Sequence, residues 1–445
     1  MTQNPNPKTI DVGNLLDEGR WSPYLKFLVL LAALAIIFDG IDNQLLAVSI
    51  PSMMKEWSLP RSAFSNVLAT GMIGMMIGGA IAGFVGDRLG RKVALLASVV
   101  VFGVMTMTIS AVNSVFALGL LRFLAGIGLG GAMPNAAALA SEYVPRRQRP
   151  FSVTLTIVCV PLGGMLAAYL AGQIIPAFGW RNLFLAGGAV PLVALAVFVP
   201  FLAESPRFLT RHPARWPQLA TFLDRAGHPV APDSTFADST ERPVEKVSAA
   251  ALLTPDFRRD TFALWLAFFS CMLSVYAGFN WIPSLLNGAG WGARASDGIF
   301  YFNLGGVAGA VASGILIARF GSKTVMLCLG AGSAASALAL AAMKIDAQSI
   351  TPVLIMLTLT GGLINALTTM LYALSAHVYP VAVRATGVGT AVAFGRLGAV
   401  LSARAGDKMM ELGGSAYFFT LMAVAVAVTF VSLLIVRRHV VHRAA

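Results

Sequence analysis

Asp39 and Asp42 stand three residues apart in an apolar run, Phe27 to Ile50, long enough to cross a bilayer. Carboxylates are costly in such a run and tend to mark substrate, ion or proton pathways. At spacing i,i+3 they share roughly one helix face, which Gly40 between them leaves open to a ligand or a neighbouring helix. Low dielectric and a like charge nearby both disfavour ionisation, so the pair has the properties of a reversible proton site. The alternative is a structural pair neutralised by an arginine from another helix. Arg122, which opens an Arg-x-x-x-Gly-x-Gly-x-Gly stretch, either partners the aspartates or holds a carboxylate ligand through a bidentate fork. Arg396, between Gly395 and Gly398, either walls the same anion site from the second half of the chain or faces the mouth of its bundle.

Aromatic and amide side chains recur in the later apolar runs: Tyr276, Asn280 and Trp281, then Tyr301, Phe302 and Asn303, then Asn365 and Tyr372. Flat faces with a few hydrogen-bonding tips suit an aromatic ring bearing hydroxyls, although aromatics in apolar helices also serve as packing. His377 is read as a structural histidine, and the Gly74-x-x-x-Gly78 and Gly79-x-x-x-Gly83 spacings as close helix contacts. Cys159, Cys271 and Cys328 have no metal-ligand spacing and are expected as free, buried thiols.

The elements that position these groups follow from composition. Of 445 residues 57% are hydrophobic and 12% charged, too apolar for a soluble globule. Twelve runs are long enough to span the ~30 Å hydrocarbon core: 25–50, 62–86, 93–112, 116–140, 150–174, 181–203, 261–287, 297–319, 324–343, 350–375, 385–405 and 414–436. The fold class is therefore an all-α polytopic membrane protein. The polar, partly acidic first 24 residues carry no apolar core of a signal peptide. The net charge of +12 does not indicate nucleic acid, because 23 of the 32 Lys and Arg fall in segments on the side of the termini. That bias places both termini in the cytoplasm of an inner membrane. The expected division is a tail 1–24, a six-helix bundle 25–203, a cytoplasmic linker 204–260 rich in Pro, Arg, Asp and Ser, a second bundle 261–436 and a tail 437–445. One short linker helix is expected around Trp216 to Arg225.

A faint repeat relates the halves. A shift of 231 lays Gly78, Gly83, Arg88, Gly90 and Lys92 on Gly309, Gly314, Arg319, Gly321 and Lys323, and a shift of 235 lays Gly126, Glu142, Pro145 and Arg149 on Gly361, His377, Pro380 and Arg384. Two bundles related by an axis along the membrane normal, with a site between them at the midplane, are one known transporter architecture. Gly86-Asp87-Arg88-Leu89-Gly90-Arg91-Lys92 resembles the loop signature of the major facilitator superfamily, Arg122 to Gly130 its fourth-span motif and Glu204-Ser205-Pro206-Arg207 its sixth-span exit. Asp39-Gly40-Ile41-Asp42, Asn280-Trp281-Ile282-Pro283 and the stretch from Arg384 through Gly398 resemble the aromatic acid:proton symporters of that superfamily.

The resemblance implies proton coupling through Asp39, Asp42 and Glu142, substrate contacts from Arg122, Arg396, Asn280, Trp281, Tyr276, Asn303 and Tyr372, and a gating latch of Asp87, Arg88, Gly90, Arg91 and Arg384. Three departures stand out. The second loop copy has Ala318 and Ser322 where the first has Asp87 and Arg91, span five keeps Pro161-Leu162-Gly163-Gly164 without the leading glycine of the antiporter signature, and span eleven adds a cation, Arg404. The expected cargo is a small aromatic carboxylate moved with protons into the cell by a monomer in a lipid bilayer, with no cofactor, metal or nucleic acid. An entering anion works against about 2.3 kcal/mol per 100 mV of inside-negative potential, which one proton cancels. An exporter or exchanger of drugs or other organic anions is the nearest alternative. A membrane enzyme would need a nucleophile–base pair or metal ligands within reach of one another, and His377 is the lone candidate base of its type in the spans, with no HExxH in the chain.

Overall fold

A computed structural model describes residues 9–231, 234–239 and 249–440. Among the described residues ten continuous helices are long and apolar enough to cross a membrane. Two of them, Arg149–Phe201 and Val381–Ile435, have 53 and 55 residues. At 1.5 Å per residue each is about 80 Å long, more than twice the hydrocarbon core, and so must double back. The chain turns at glycine in both. Gly179 adopts φ +81°, and Gly413 and Gly414 are non-helical with Gly414 at φ +64°, a region most side chains avoid. Twelve spans result, in two bundles of six, with Gly179 and Gly413 inside the intervals between predicted runs and Gly414 on the first residue of the twelfth.

Span 1, Pro23–Trp57, starts where the Ser22 hydroxyl accepts from the Leu25 amide and Pro23 presets the first turn. It ends at Ser58, whose φ of +53° takes the chain out of the helix. Spans 2 to 4 are Ser62–Leu89, Arg91–Ile109 and Val115–Glu142; spans 5 and 6 are the two parts of Arg149–Phe201. Spans 7 to 10 are Arg258–Gly288, Ala295–Phe320, Ser322–Ala342 and Ile350–Val378, and spans 11 and 12 divide Val381–Ile435. The turn between spans 5 and 6 is clamped from outside. Trp180 Nε1 donates to Glu56 Oε2 at 2.7 Å, while Arg181 reaches Glu56 Oε1 at 2.5 Å and Asn113 Oδ1 at 2.6 Å.

Glycine seams repeat between the halves with nearly one register. A Cβ on Gly74 would strike the Phe123 carbonyl, as one on Gly305 would strike that of Thr358. Gly78 stands in the same way against Ile127 and Gly309 against Gly362, and Gly126 against Gly71 as Gly361 against Phe302. The seam of span 5 on span 1, Gly163 against Ile37, returns as Gly398 of span 11 against Phe269 of span 7. Backbone-to-backbone contact of this kind needs residues without side chains, which is how membrane helices gain packing where the hydrophobic effect gives none.

The linker contains the helix Trp216–Ala226, closed by Gly227 in a left-handed cap. Sequence reading gives no strand, yet Thr9–Asp11 pairs in parallel with Thr235–Ala237, so the N-terminal segment docks on the linker. Asp11 then caps the helix Val12–Glu18 by accepting from the Asn14 amide. Two strands of three residues carry no alternating pattern long enough to read. Pro232 and Asp233, two of the linker's turn residues, lie outside the described residues. The expectation for the thiols is corrected in part: Cys159 and Cys271 are buried but Cys328 is exposed, because one face of span 9 points away from its bundle.

Candidate functional site

Asp42 is fully buried and fully engaged. Arg122 NH1 donates to its Oδ2 at 3.1 Å, both terminal guanidinium nitrogens reach its backbone carbonyl at 3.4 Å, and the Thr106 hydroxyl donates to Oδ1. Spans 1, 3 and 4 are thus joined at one carboxylate. Gly71 of span 2 lies against Arg122 at ordinary contact distance. Its side chain is 6% exposed, and its Nε, buried, has no hydrogen-bond partner.

Asp39 differs. It is 3% exposed, and its Oδ1 is buried without a partner. The charges that act on it are Asp42 and Arg396, the latter from span 11 of the other half. Gly40 packs on the backbone of Val160, so span 5 backs the segment that carries both aspartates. Arg396 makes no hydrogen bond or ion pair among the described residues; within electrostatic reach of it are Asp39, Tyr276 and Tyr372. The Tyr276 hydroxyl lies beside the Asn43 side chain, and its ring meets Phe279 edge-on at 5.8 Å. Tyr372 meets Phe268 edge-on at 5.3 Å. One carboxylate, one guanidinium and two phenols therefore converge between the halves. They form an acid–base and hydrogen-bonding set.

Other residues picked from the sequence have different settings. Asn280 donates to Ser402 Oγ at 3.3 Å and Trp281 Nε1 to the Ala403 carbonyl at 3.0 Å, so both fasten span 7 to span 11. Trp281 is wholly buried there and packs on Gly406. Asn303 donates to Ile299 O at 2.9 Å, and its Oδ1 is a buried orphan facing Gly164 of span 5, across the line between the halves. Asn365 faces Gly306, Tyr301 is exposed, and His377 is exposed at the end of span 10.

Glu142 joins the loop residues rather than the aspartates. Arg91 NH1 lies 3.1 Å from its Oε1, and the Ser205 hydroxyl donates to Oε2. Gly90, at φ +106°, leaves its Cβ position to the Glu204 carboxylate, which accepts from the Lys92 amide at 3.0 Å and the Ser205 amide at 2.9 Å. The loop signature and the sixth-span exit thereby form one polar cluster. Asp87 and Arg88 are exposed, with Arg88 over the Phe84 ring at 4.0 Å, and Arg384 donates to the Tyr379 carbonyl at 3.3 Å in the other half. In that half Ser322, at the position of Arg91, holds the C-terminal segment instead: it donates or accepts with His439 Nδ1 at 3.2 Å and accepts from the Val440 amide at 2.8 Å.

Sequence reasoning missed Thr106 and Asn43. A threonine in the Met105-Thr106-Met107-Thr108 run gives no signal of which hydroxyl faces span 1. Asn43 had one, since it extends the polar break Asp42-Asn43-Gln44 in an apolar helix.

Two six-helix bundles around a charged cluster at membrane depth define a multi-pass membrane carrier. The chain belongs to the Major Facilitator Superfamily, whose profile matches residues 32–316 and 298–445. It is 32% identical to the gallate transporter of Pseudomonas putida over 95% of this chain and 94% of that one. With the 4-hydroxybenzoate transporter PcaK of the same organism it shares 32% identity over 93% and 92% of the two chains. It shares 31% with the 3-(3-hydroxy-phenyl)propionate transporter of Escherichia coli, over 86% of each. The inward open conformation of the xylose transporter XylE from E. coli superposes with a TM-score of 0.75 at 16% identity, covering 94% of this chain and 98% of that one. That last likeness is one of fold.

Proposed function

We propose that this protein is a proton-coupled symporter that imports a small hydroxylated aromatic carboxylate across an inner membrane by alternating access, with both termini in the cytoplasm. The observation that carries this reading is the unequal engagement of the two aspartates. Asp42 is held by Arg122 and Thr106, whereas Asp39 keeps a free carboxylate oxygen beside Arg396. A proton carrier must exchange its proton, so Asp39 is the proton-binding group and Asp42 the fixed charge that orients Arg122. Arg396, with Tyr276 and Tyr372, receives the substrate carboxylate and ring. Protonation of Asp39 removes the internal counter-charge of Arg396 and frees it for the anion, which couples the two cargoes. Asn280 and Trp281 act as positioning residues that set span 11 against span 7. Glu142, Asp87, Arg88, Gly90 and Arg91 serve the cytoplasmic latch.

The relatives carry gallate, 4-hydroxybenzoate and a hydroxyphenylpropionate by name, which supports the same substrate class here. The test is uptake by purified protein in liposomes with an imposed pH gradient, against a panel of benzoate, hydroxybenzoates, gallate and phenylpropionates. Accumulation of at least one acid only with the outside acidic is expected. Accumulation of none, or proton-driven efflux, overturns the proposal.

A further inference from the structure

Among the described residues, polar ties cross from one half to the other on the side of the aspartates that faces away from the chain termini. Gln44 Nε2 donates to the Phe279 carbonyl at 2.7 Å, linking spans 1 and 7. Arg61, at the start of span 2, places Nε 2.7 Å from Asp407 Oδ1 near the end of span 11, with NH2 3.5 Å from the Asp407 carbonyl. Arg404, a turn earlier on span 11, donates through Nε and NH2 to Asn66 Oδ1 at 3.1 and 2.9 Å. By contrast, the Arg91–Glu142–Ser205 latch stays within the first half. The tie of the Arg437 amide to Asp260 at 2.9 Å and that of Ser322 to His439 stay within the second.

We infer that Arg61 and Asp407, seconded by Arg404 and Asn66, are the gate that closes the two halves on the face away from the termini and must part when a cargo enters there. The charges are arranged for a contact made and broken in each cycle. Asp407 and Arg404 are three residues apart, so span 11 offers an acid and a base side by side. The acid meets a cation on span 2, while the base meets only a neutral amide. The closed state is thus held by one ion pair rather than two. That pair is partly shielded, with side-chain exposures of 26% for Arg61 and 11% for Asp407. A partly exposed pair of this kind biases a two-state equilibrium by up to roughly five-fold, enough to favour closure without freezing it. The gate also gives a role to Arg404, a cation that the anion site does not use.

The inference holds whatever the cargo, so its test needs no substrate. Spin labels on Ser62→Cys and Glu411→Cys, two exposed positions flanking the gate, are placed in a Cys328→Ser background, and their separation is measured by pulsed electron resonance in lipid nanodiscs. Asp407→Asn is expected to raise the long-separation population up to about five-fold. Arg61→Gln is expected to match it, and the reversed pair Arg61→Asp with Asp407→Arg to restore the short separation. Unchanged distances in both single variants, or a reversed pair that stays open, overturn the inference. Loss of proton-driven uptake with an intact separation shift would instead bear on the transport reading alone.

Discussion

Replacing Asp42 by Asn deletes the charge that faces Arg122 and keeps its shape. The guanidinium, 6% exposed, is left with two contacts of 3.4 Å to the Asp42 backbone carbonyl. Breaking a buried pair from one side costs about 3–5 kcal/mol. The amide oxygen still accepts from Thr106 and the backbone contacts persist, so the expected loss is near the lower figure, about 3 kcal/mol. Asp39→Asn breaks no hydrogen bond of Oδ1, and its cost should be about 1 kcal/mol or less. The two variants should therefore separate by stability and by function in opposite senses. In detergent, thermal unfolding of Asp42→Asn should fall by several degrees while Asp39→Asn stays near the parent protein. In liposomes, Asp39→Asn should lose accumulation driven by a pH gradient yet retain exchange of labelled for unlabelled substrate at equal pH. Equal destabilisation by the two variants, or gradient-driven accumulation by Asp39→Asn, would refute the division of roles.

Arg396→Lys keeps the charge but loses the planar fork, and should raise KM for uptake at least ten-fold with little change in unfolding temperature; Arg122→Ala should fail at any substrate concentration. Gly78→Ala should lower thermal stability by the equivalent of more than 2 kcal/mol, because its methyl meets the Ile127 backbone. Gly172→Ala, with open space at the Cβ position, should leave it unchanged. Burial holds the His439 imidazole below its usual 6.5, with the Lys323 charge acting in the same direction and its bond to the Leu433 carbonyl opposing. A histidine kept neutral by folding stabilises above the unfolded value and loses that contribution as pH falls below about 6.5, so hydrogen exchange at residues 436–440 should speed up in that range.

Apolar run length is a bulk property, so the spans and their turns were readable from sequence, including breaks at Gly179 and Gly413 that a helix count would overlook. The internal repeat was visible as matched glycines, and the structure gives a reason for most of them: Gly78 with Gly309 and Gly126 with Gly361 are places where backbones touch, and Gly90 and Gly321 both take a positive φ. The site was legible as far as its charges. Asp39, Asp42, Arg122 and Arg396 stand out because a charge in an apolar helix has no cheap explanation. Which aspartate Arg122 would choose was not legible, since the answer depends on the rotation of spans 1 and 4 about their axes. Trp281 shows the reverse case, an aromatic conspicuous in sequence whose indole NH is spent on the Ala403 carbonyl. Arg61 and Asp407 were invisible for a third reason. They lie 346 residues apart at helix ends, where charge is ordinary.

The glycine seams have a mechanical consequence. Spans 2 and 4, and spans 1 and 5, touch backbone to backbone, as their counterparts do in the second half, leaving almost no side-chain layer to yield within either set. Each half should therefore behave as a stiff plate. On the proposed reading, a displacement begun by a single proton on Asp39 would not be absorbed locally and would emerge where the plates meet, turning a one-charge event into a tilt of the whole molecule.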